Sequence, residues 1–167
     1  CEPLGLSAEA PVVVVKELKK RNFIGGAAIV ANHAKTLGAN CSFISVVGDD
    51  SPARYLKEQL EKNDITYELF IDKSRPTTFK KRYVVENQKL FRVSQLEEHK
   101  LDKEIEDKII YKLREYAPKI NGIIVSDFVY GVVTENIIEE IKNLSNEYNL
   151  MIFGDLQCSS QVGDITN

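Results

Sequence analysis

The chain has 167 residues, 43% of them hydrophobic and 28% charged, with a formal net charge of −3. That is enough length and apolar content for one globular domain with its own core, and too much for a disordered tail. Lysines and arginines are interspersed with acids, so no overall basic field points to nucleic acid or an anionic membrane. No apolar run nears the roughly 20 residues of a membrane helix, and no basic segment followed by an apolar stretch opens the chain. The expectation is a soluble, cytoplasmic protein with neither nucleic acid nor membrane among its partners. Cys1, Cys41 and Cys158 are an odd, widely spaced set beside only two histidines, so they read as reduced thiols and no zinc pattern can be drawn.

The chain opens in Glu2-Pro3-Leu4-Gly5, read as loop, and has no initiator methionine; its polar end, Gly163 to Asn167, closes no element. Both ends suggest a piece of a longer domain. Pro11 to Val15 is a β-branched run that predicts a short strand, and the charged stretch Lys16 to Asn22 leads from it into Ile24-Gly25-Gly26-Ala27-Ala28. Two glycines ahead of a helix let the backbone take positive φ and turn the first helical amides outward, where an anion or a hydroxyl-rich ligand can approach. A tight turn without a ligand fits the pair equally well. Ala27, Val30, Ala31, Ala34 and Leu37 recur at helical spacing as an inward stripe, and Gly38 stops the helix.

Cys41 to Val47 predicts a buried strand, and Ser51 with Pro52 predicts the cap and first turn of a second helix carrying Ala53, Leu56 and Leu60 inward. Tyr67 to Ile71 is a further strand. From Pro76 to Ser94 the rhythm changes to a long hairpin, Thr77 to Val85 returning as Leu90 to Val93 through Glu86-Asn87-Gln88-Lys89. Lys80 and Arg82 share one face by the period of two, and the register decides whether Arg92 joins them. The hairpin is either an edge made soluble by charge or a flap carrying cations to a phosphorylated ligand.

Asp102 opens a third helix with Ile105, Ile109, Leu113, Tyr116 and Ala117 inward, ended by Pro118. Gly122 to Asp127 is an apolar run fit for a parallel strand covered on both faces, with Ser126 to Gly131 beyond its C-terminal end, where open α/β sheets bind ligands. Thr134 caps a fourth helix with Ile137, Ile138, Ile141 and Leu144, and Leu150 to Phe153 leads to Gly154-Asp155-Leu156-Gln157. Asp127 and Asp155 stand at equivalent strand ends, as loop-solvating or capping groups or as ligand contacts.

Ser7 to Val12, Ile24 to Ala28, Gly48-Asp49-Asp50, Pro76 to Arg82, Asn87 to Arg92 and Ser126-Asp127-Phe128, in this order and spacing, resemble the ribokinase-like (phosphofructokinase-B) carbohydrate kinases from Ser7 to Asp155. Within that family the likeness is greatest to the heptose-7-phosphate kinase domains of bacterial ADP-heptose synthesis, in lipopolysaccharide precursor formation. The resemblance implies an α/β fold: a doubly wound, mostly parallel sheet with a small β-hairpin lid, residues 1–167 being the N-terminal part of one kinase domain and about 11–17 and 76–94 its lid strands. It implies a carbohydrate kinase that uses ATP and Mg²⁺, with a homodimer formed through the lid. Gly25, Gly26, Thr78, Lys80, Arg82, Gln88, Arg92, Asp127, Tyr130 and Gly131 then bind the sugar or sugar phosphate, and Asp155 and Gln157 lie near nucleotide or phosphate. Tyr130 stands where the heptose kinases usually carry lysine, and Ile29 where many relatives carry a sugar-binding asparagine. The family's first strand would precede Cys1 and its catalytic Gly-Ala-Gly-Asp segment, with the general base, would follow Asn167; the chain alone is then expected to be inactive. A dinucleotide-dependent oxidoreductase does not fit, since no G-x-G-x-x-G follows a strand. A non-catalytic sugar-binding or lid-dimerisation module remains as the alternative.

Overall fold

A computed structural model of the chain describes residues 1–156. In chain order they form β1 (Glu2–Leu6), β2 (Val13–Lys16), α1 (Ala27–Thr36), β3 (Ser42–Val47), α2 (Ser51–Lys62), β4 (Thr66–Ile71), β5 (Phe79–Val85), β6 (Gln88–Gln95), α3 (Lys103–Tyr116), a 3₁₀ turn (Ala117–Lys119), β7 (Gly122–Asp127), α4 (Glu135–Tyr148) and β8 (Met151–Leu156). Two pairs are parallel, β3 with β4 from Ser42↔Thr66 to Val47↔Ile71 and β7 with β8 from Gly122↔Met151 to Asp127↔Leu156. Two are antiparallel, β1 with β2 and β5 with β6.

The parallel pairs are covered as one layer. Ile44 and Val46 of β3 and Ile123 and Val125 of β7 pack on the same cluster, formed by Leu101, Ile105 and Ile109 with Ile137 and Ile141 of α4. Phe43, one residue out of phase and so on the other face, packs with Ala28 and Ala31 of α1 and Leu60 of α2. Helix α1 reaches both β3 and β7. Its small side chains let it lie close, and the doubly wound, parallel plan follows from apolar runs buried on both faces. The inner edges of β3 and β7 are nevertheless not hydrogen-bonded to each other. A cavity of about 2190 Å³ runs between them, lined by Ser42–Val47 and Gly122–Ser126 and by no residue of β4 or β8. Ile124, on the α1 side of β7, is 50% exposed in consequence.

Three details differ from the expected elements. Glu2–Leu6, read as loop, is a strand, because β2 offers it an antiparallel edge from Glu2↔Lys16 to Leu6↔Val13. Leu37, placed on the inward stripe of α1, is 88% exposed, since the helix ends at Thr36 and Leu37 turns out of it as the C-cap. The N-cap of α2 is Asp50 rather than Ser51: the Asp50 Oδ1 accepts the Ala53 N–H at 2.9 Å, which shifts Ser51 into the first turn. Thr134 caps α4 as expected, accepting the Ile137 N–H at 3.3 Å.

Candidate functional site

The turn before α1 is built on one obligatory glycine. Gly26 has φ 56° and ψ −141°, a region that side chains avoid, and a Cβ there would touch the Phe128 ring at 3.4 Å. Gly25 faces open space, with nothing within 4 Å of a Cβ. The Ala28 and Ile29 amides turn back onto the carbonyls of Gly25 and Gly26 at 3.2 and 3.3 Å, so the outward-facing amides expected of this turn narrow to those before them.

Across the cavity mouth stands the β5–β6 hairpin. Glu86 and Asn87 both have positive φ, 45° and 70°, making a two-residue turn that pairs Val85 with Gln88 and Val84 with Lys89, and an extra residue in β6, Leu90, then shifts the register by one. Lys80 then lies opposite Ser94 and Arg82 opposite Arg92, so Arg92 joins Lys80 and Arg82 on one face. All three line the cavity. None of them has an ion-pair partner among the described residues. The opposite face carries Lys81 beside Val93 and Tyr83 stacked on Phe91, ring centroids 4.6 Å apart. Lys81 pairs there with Glu17, just after β2, at 3.2 Å. Thr78, exposed, precedes the hairpin, and Gln88 is exposed at its tip opposite Val85.

The segment after β7 meets both of these parts. Asp127 Oδ1 accepts the Val129 N–H at 2.8 Å, and Val129 takes φ 60°, rare for a β-branched residue. Phe128 and Tyr130 then lie with ring centroids 6.4 Å apart, and the Lys80 ammonium sits over both rings, 5.4 Å from Phe128 and 4.9 Å from Tyr130. Gly131 is spent on packing, since at φ 74° a Cβ would overlap the carbonyl oxygen of His99.

Sequence reasoning missed Arg75, which braces this segment. Its side chain is buried with Asp72, Nε to Oδ2 2.8 Å, and donates to the Tyr130 carbonyl at 3.0 Å and the His99 carbonyl at 2.6 Å. Asp72 also accepts from the amide and hydroxyl of Ser74, at 2.9 and 2.6 Å. Burial pushes the Asp72 carboxyl up, but these bonds and the Arg75 charge together hold it below the usual carboxylate range. The Asp-x-Ser spacing of an Asx turn was the available signal. Asp50 was also underread: its second oxygen accepts the Thr77 N–H at 2.8 Å, tying α2 to the root of the hairpin.

Gly26, Thr78, Lys80, Arg82, Arg92, Asp127 and Tyr130 thus gather around one cavity, with Gly25 on its rim. Asp155 is exposed on β8 opposite Ser126, one strand further out, and Gln157 lies outside the described residues. Cys1 and Cys41 are free thiols, and burial pushes the Cys41 thiol up. Among the described residues no three carboxylate, histidine or thiol groups come together, and no helix is long and apolar enough to cross a membrane.

With the parallel layer, the glycine turn at its rim and the hairpin over it in place, the model of the pfkB family carbohydrate kinases matches residues 4–152; the chain belongs to that family. Among curated relatives, the bifunctional protein HldE of Aliarcobacter butzleri is 36% identical over 90% of this chain and 32% of its own length. HldE of Helicobacter acinonychis is 34% identical over 90% and 33%. The chain therefore spans about a third of the length of these relatives. Of solved structures, a possible 1-phosphofructokinase from Thermotoga maritima superposes with TM-score 0.66 at 17% identity, over 86% of this chain and 48% of that one. Ribokinase from Giardia lamblia gives 0.58 at 13%, over 84% and 41%. These two establish the ribokinase-like fold.

Proposed function

We propose that the chain is the sugar-side part of an ATP-dependent kinase that transfers a phosphoryl group to a hydroxyl of a phosphorylated sugar, heptose 7-phosphate being the substrate favoured by the HldE relatives. The observation that carries the reading is the register of the hairpin. Two arginines directly opposite each other repel. Here they are joined on the same face by Lys80, without ion-pair partners among the described residues and over a cavity rimmed by Gly25. An anion between them relieves that repulsion, and guanidinium groups suit phosphate oxygens. Gly25, Gly26, Thr78 and Asp127 are assigned to the sugar and Lys80, Arg82 and Arg92 to its phosphate; Tyr130, Gln88 and Gly131 shape the surroundings. In purified full-length parent with Mg-ATP, replacing Lys80 and Arg82 together by Ala should weaken the phosphorylated sugar at least tenfold more than the neutral one. Equal losses on both would overturn the phosphate assignment.

The break between β3 and β7 supports a further part of the reading, that this chain is one portion of a larger kinase domain. Two covered strand edges with unpaired main-chain groups, beside a buried Ser126 hydroxyl without a hydrogen-bond partner among the described residues, call for one more strand in the layer. The general base is assigned to the parent beyond Asn167, with Asp155 and Gln157 near the nucleotide or phosphate, so the chain alone is expected to transfer no phosphate. The hairpin's other face favours self-association as an added property. Phe91 is 48% and Val93 54% exposed there, which fits a homodimer through the lid. A concentration-independent monomer mass by light scattering of the parent would remove that idea.

A further inference from the structure

We infer that Tyr130, with Phe128, is a positioning and specificity-determining residue: the two rings form an aromatic cradle that holds the Lys80 ammonium ready for an anionic substrate. The inference rests on the phosphorylated-sugar reading above and adds to it the groups that place the charge.

The cradle is on the rigid side of the site. Phe128 abuts Gly26, the Tyr130 carbonyl is held by Arg75, the Val129 amide by Asp127, and the Gly131 carbonyl accepts the Leu101 N–H at 3.2 Å. Lys80 belongs to the hairpin on the other side of the cavity mouth, and its ammonium reaches both rings while meeting no carboxylate. Aromatic faces attract an ammonium without neutralising it, so the group keeps its charge and its N–H donors for a ligand, which a salt bridge would consume. A free lysine would have to surrender its rotamer freedom when it binds phosphate; one already resting on two rings gives up less. That difference corresponds to about tenfold in affinity, some 1.4 kcal/mol. A neutral sugar gains nothing from it. Tyr130 thus raises selectivity for charge without adding a second cation beside Lys80.

The test uses the full-length parent with lysines reductively ¹³C-methylated, which preserves the charge and the attraction to rings. The Lys80 signal, assigned by its loss in Lys80→Arg, is expected at an upfield, ring-shifted position in wild type and Tyr130→Phe. Much of that shift should be lost in Tyr130→Leu, which keeps bulk and fold, and in Tyr130→Ala, where only the Phe128 ring remains beside the ammonium. Titration with heptose 7-phosphate should give a Kd about tenfold weaker in Tyr130→Leu and within twofold of wild type in Tyr130→Phe. The Kd for the free heptose should change less than twofold. An unshifted Lys80 signal in wild type, or equal heptose 7-phosphate affinity in wild type and Tyr130→Leu, overturns the inference. A ring-shifted signal in a wild-type protein that binds no phosphorylated sugar overturns the substrate reading instead.

Discussion

Glu106 shows how a single buried charge is kept in this fold. It accepts from the Thr134 hydroxyl, from Asn136 Nδ2 at 3.0 Å and from Lys103 Nζ at 3.0 Å, and so joins α3 to the start of α4. The bonds from Thr134 and Asn136, against the opposing effect of burial, bring its carboxyl from 4.5 down to about 2. Its folded value lies below its unfolded one, so it stabilises the fold fully above pH 4.5 and loses that contribution as pH falls toward about 2. Glu106→Ala should cost about 2–3 kcal/mol in urea unfolding at pH 7, because Thr134 and Asn136 lose their acceptor. The gap between mutant and wild type should narrow between pH 4.5 and pH 2, and a constant gap would exclude the linkage. Neither Glu106 nor Arg75 was legible in the sequence. A charged residue on a helix or in a loop reads as solvent-facing, and only the partners brought from 28 and 55 residues away reveal otherwise.

The elements themselves were largely legible, because each is long enough for its period to show. The parallel strands came from apolar runs, α4 from its Thr134 cap, and the hairpin from its alternation. What the pattern left open was register. The Glu86–Asn87 turn alone would put Arg92 opposite Lys81; the extra residue in β6, Leu90, shifts the pairing by one and sets Arg92 against Arg82, and no local rule announces that bulge. The turn glycines likewise divide by surroundings and not by sequence. Gly131→Ala should be the more damaging change, because both φ and the His99 carbonyl oppose a Cβ, whereas at Gly26 the conformation is the main obstacle and the Phe128 ring is at contact distance. Thermal unfolding should show a loss of roughly 1–3 kcal/mol for Gly26→Ala and more than that for Gly131→Ala. Gly25→Ala, in open space, should leave stability nearly unchanged while hindering any sugar that lies against it.

At the scale of the molecule, what could not be read from residues 1–156 is the interruption of their own sheet. Every strand was foreseeable from its neighbours in sequence except β1, but strand order depends on backbone edges, which carry no side-chain signature. In each of β3 and β7 about half the amides point toward the hydrogen-bonded partner and the rest toward the cavity. If the layer is completed by another strand in the parent, the cavity-side amides of Ser42–Val47 and Gly122–Asp127 should exchange hydrogen rapidly in the 167-residue chain and become protected in the full-length protein. The partner-side amides should be protected in both. The same strand would cover Ile124 and give Ser126 a neighbour, so the parent should also unfold at a higher urea concentration than the chain alone. Deuterium exchange followed amide by amide decides the matter: cavity-side amides that exchange equally fast in both proteins would mean that β3 and β7 remain two separate pairs, and that the cavity between them belongs to the finished kinase.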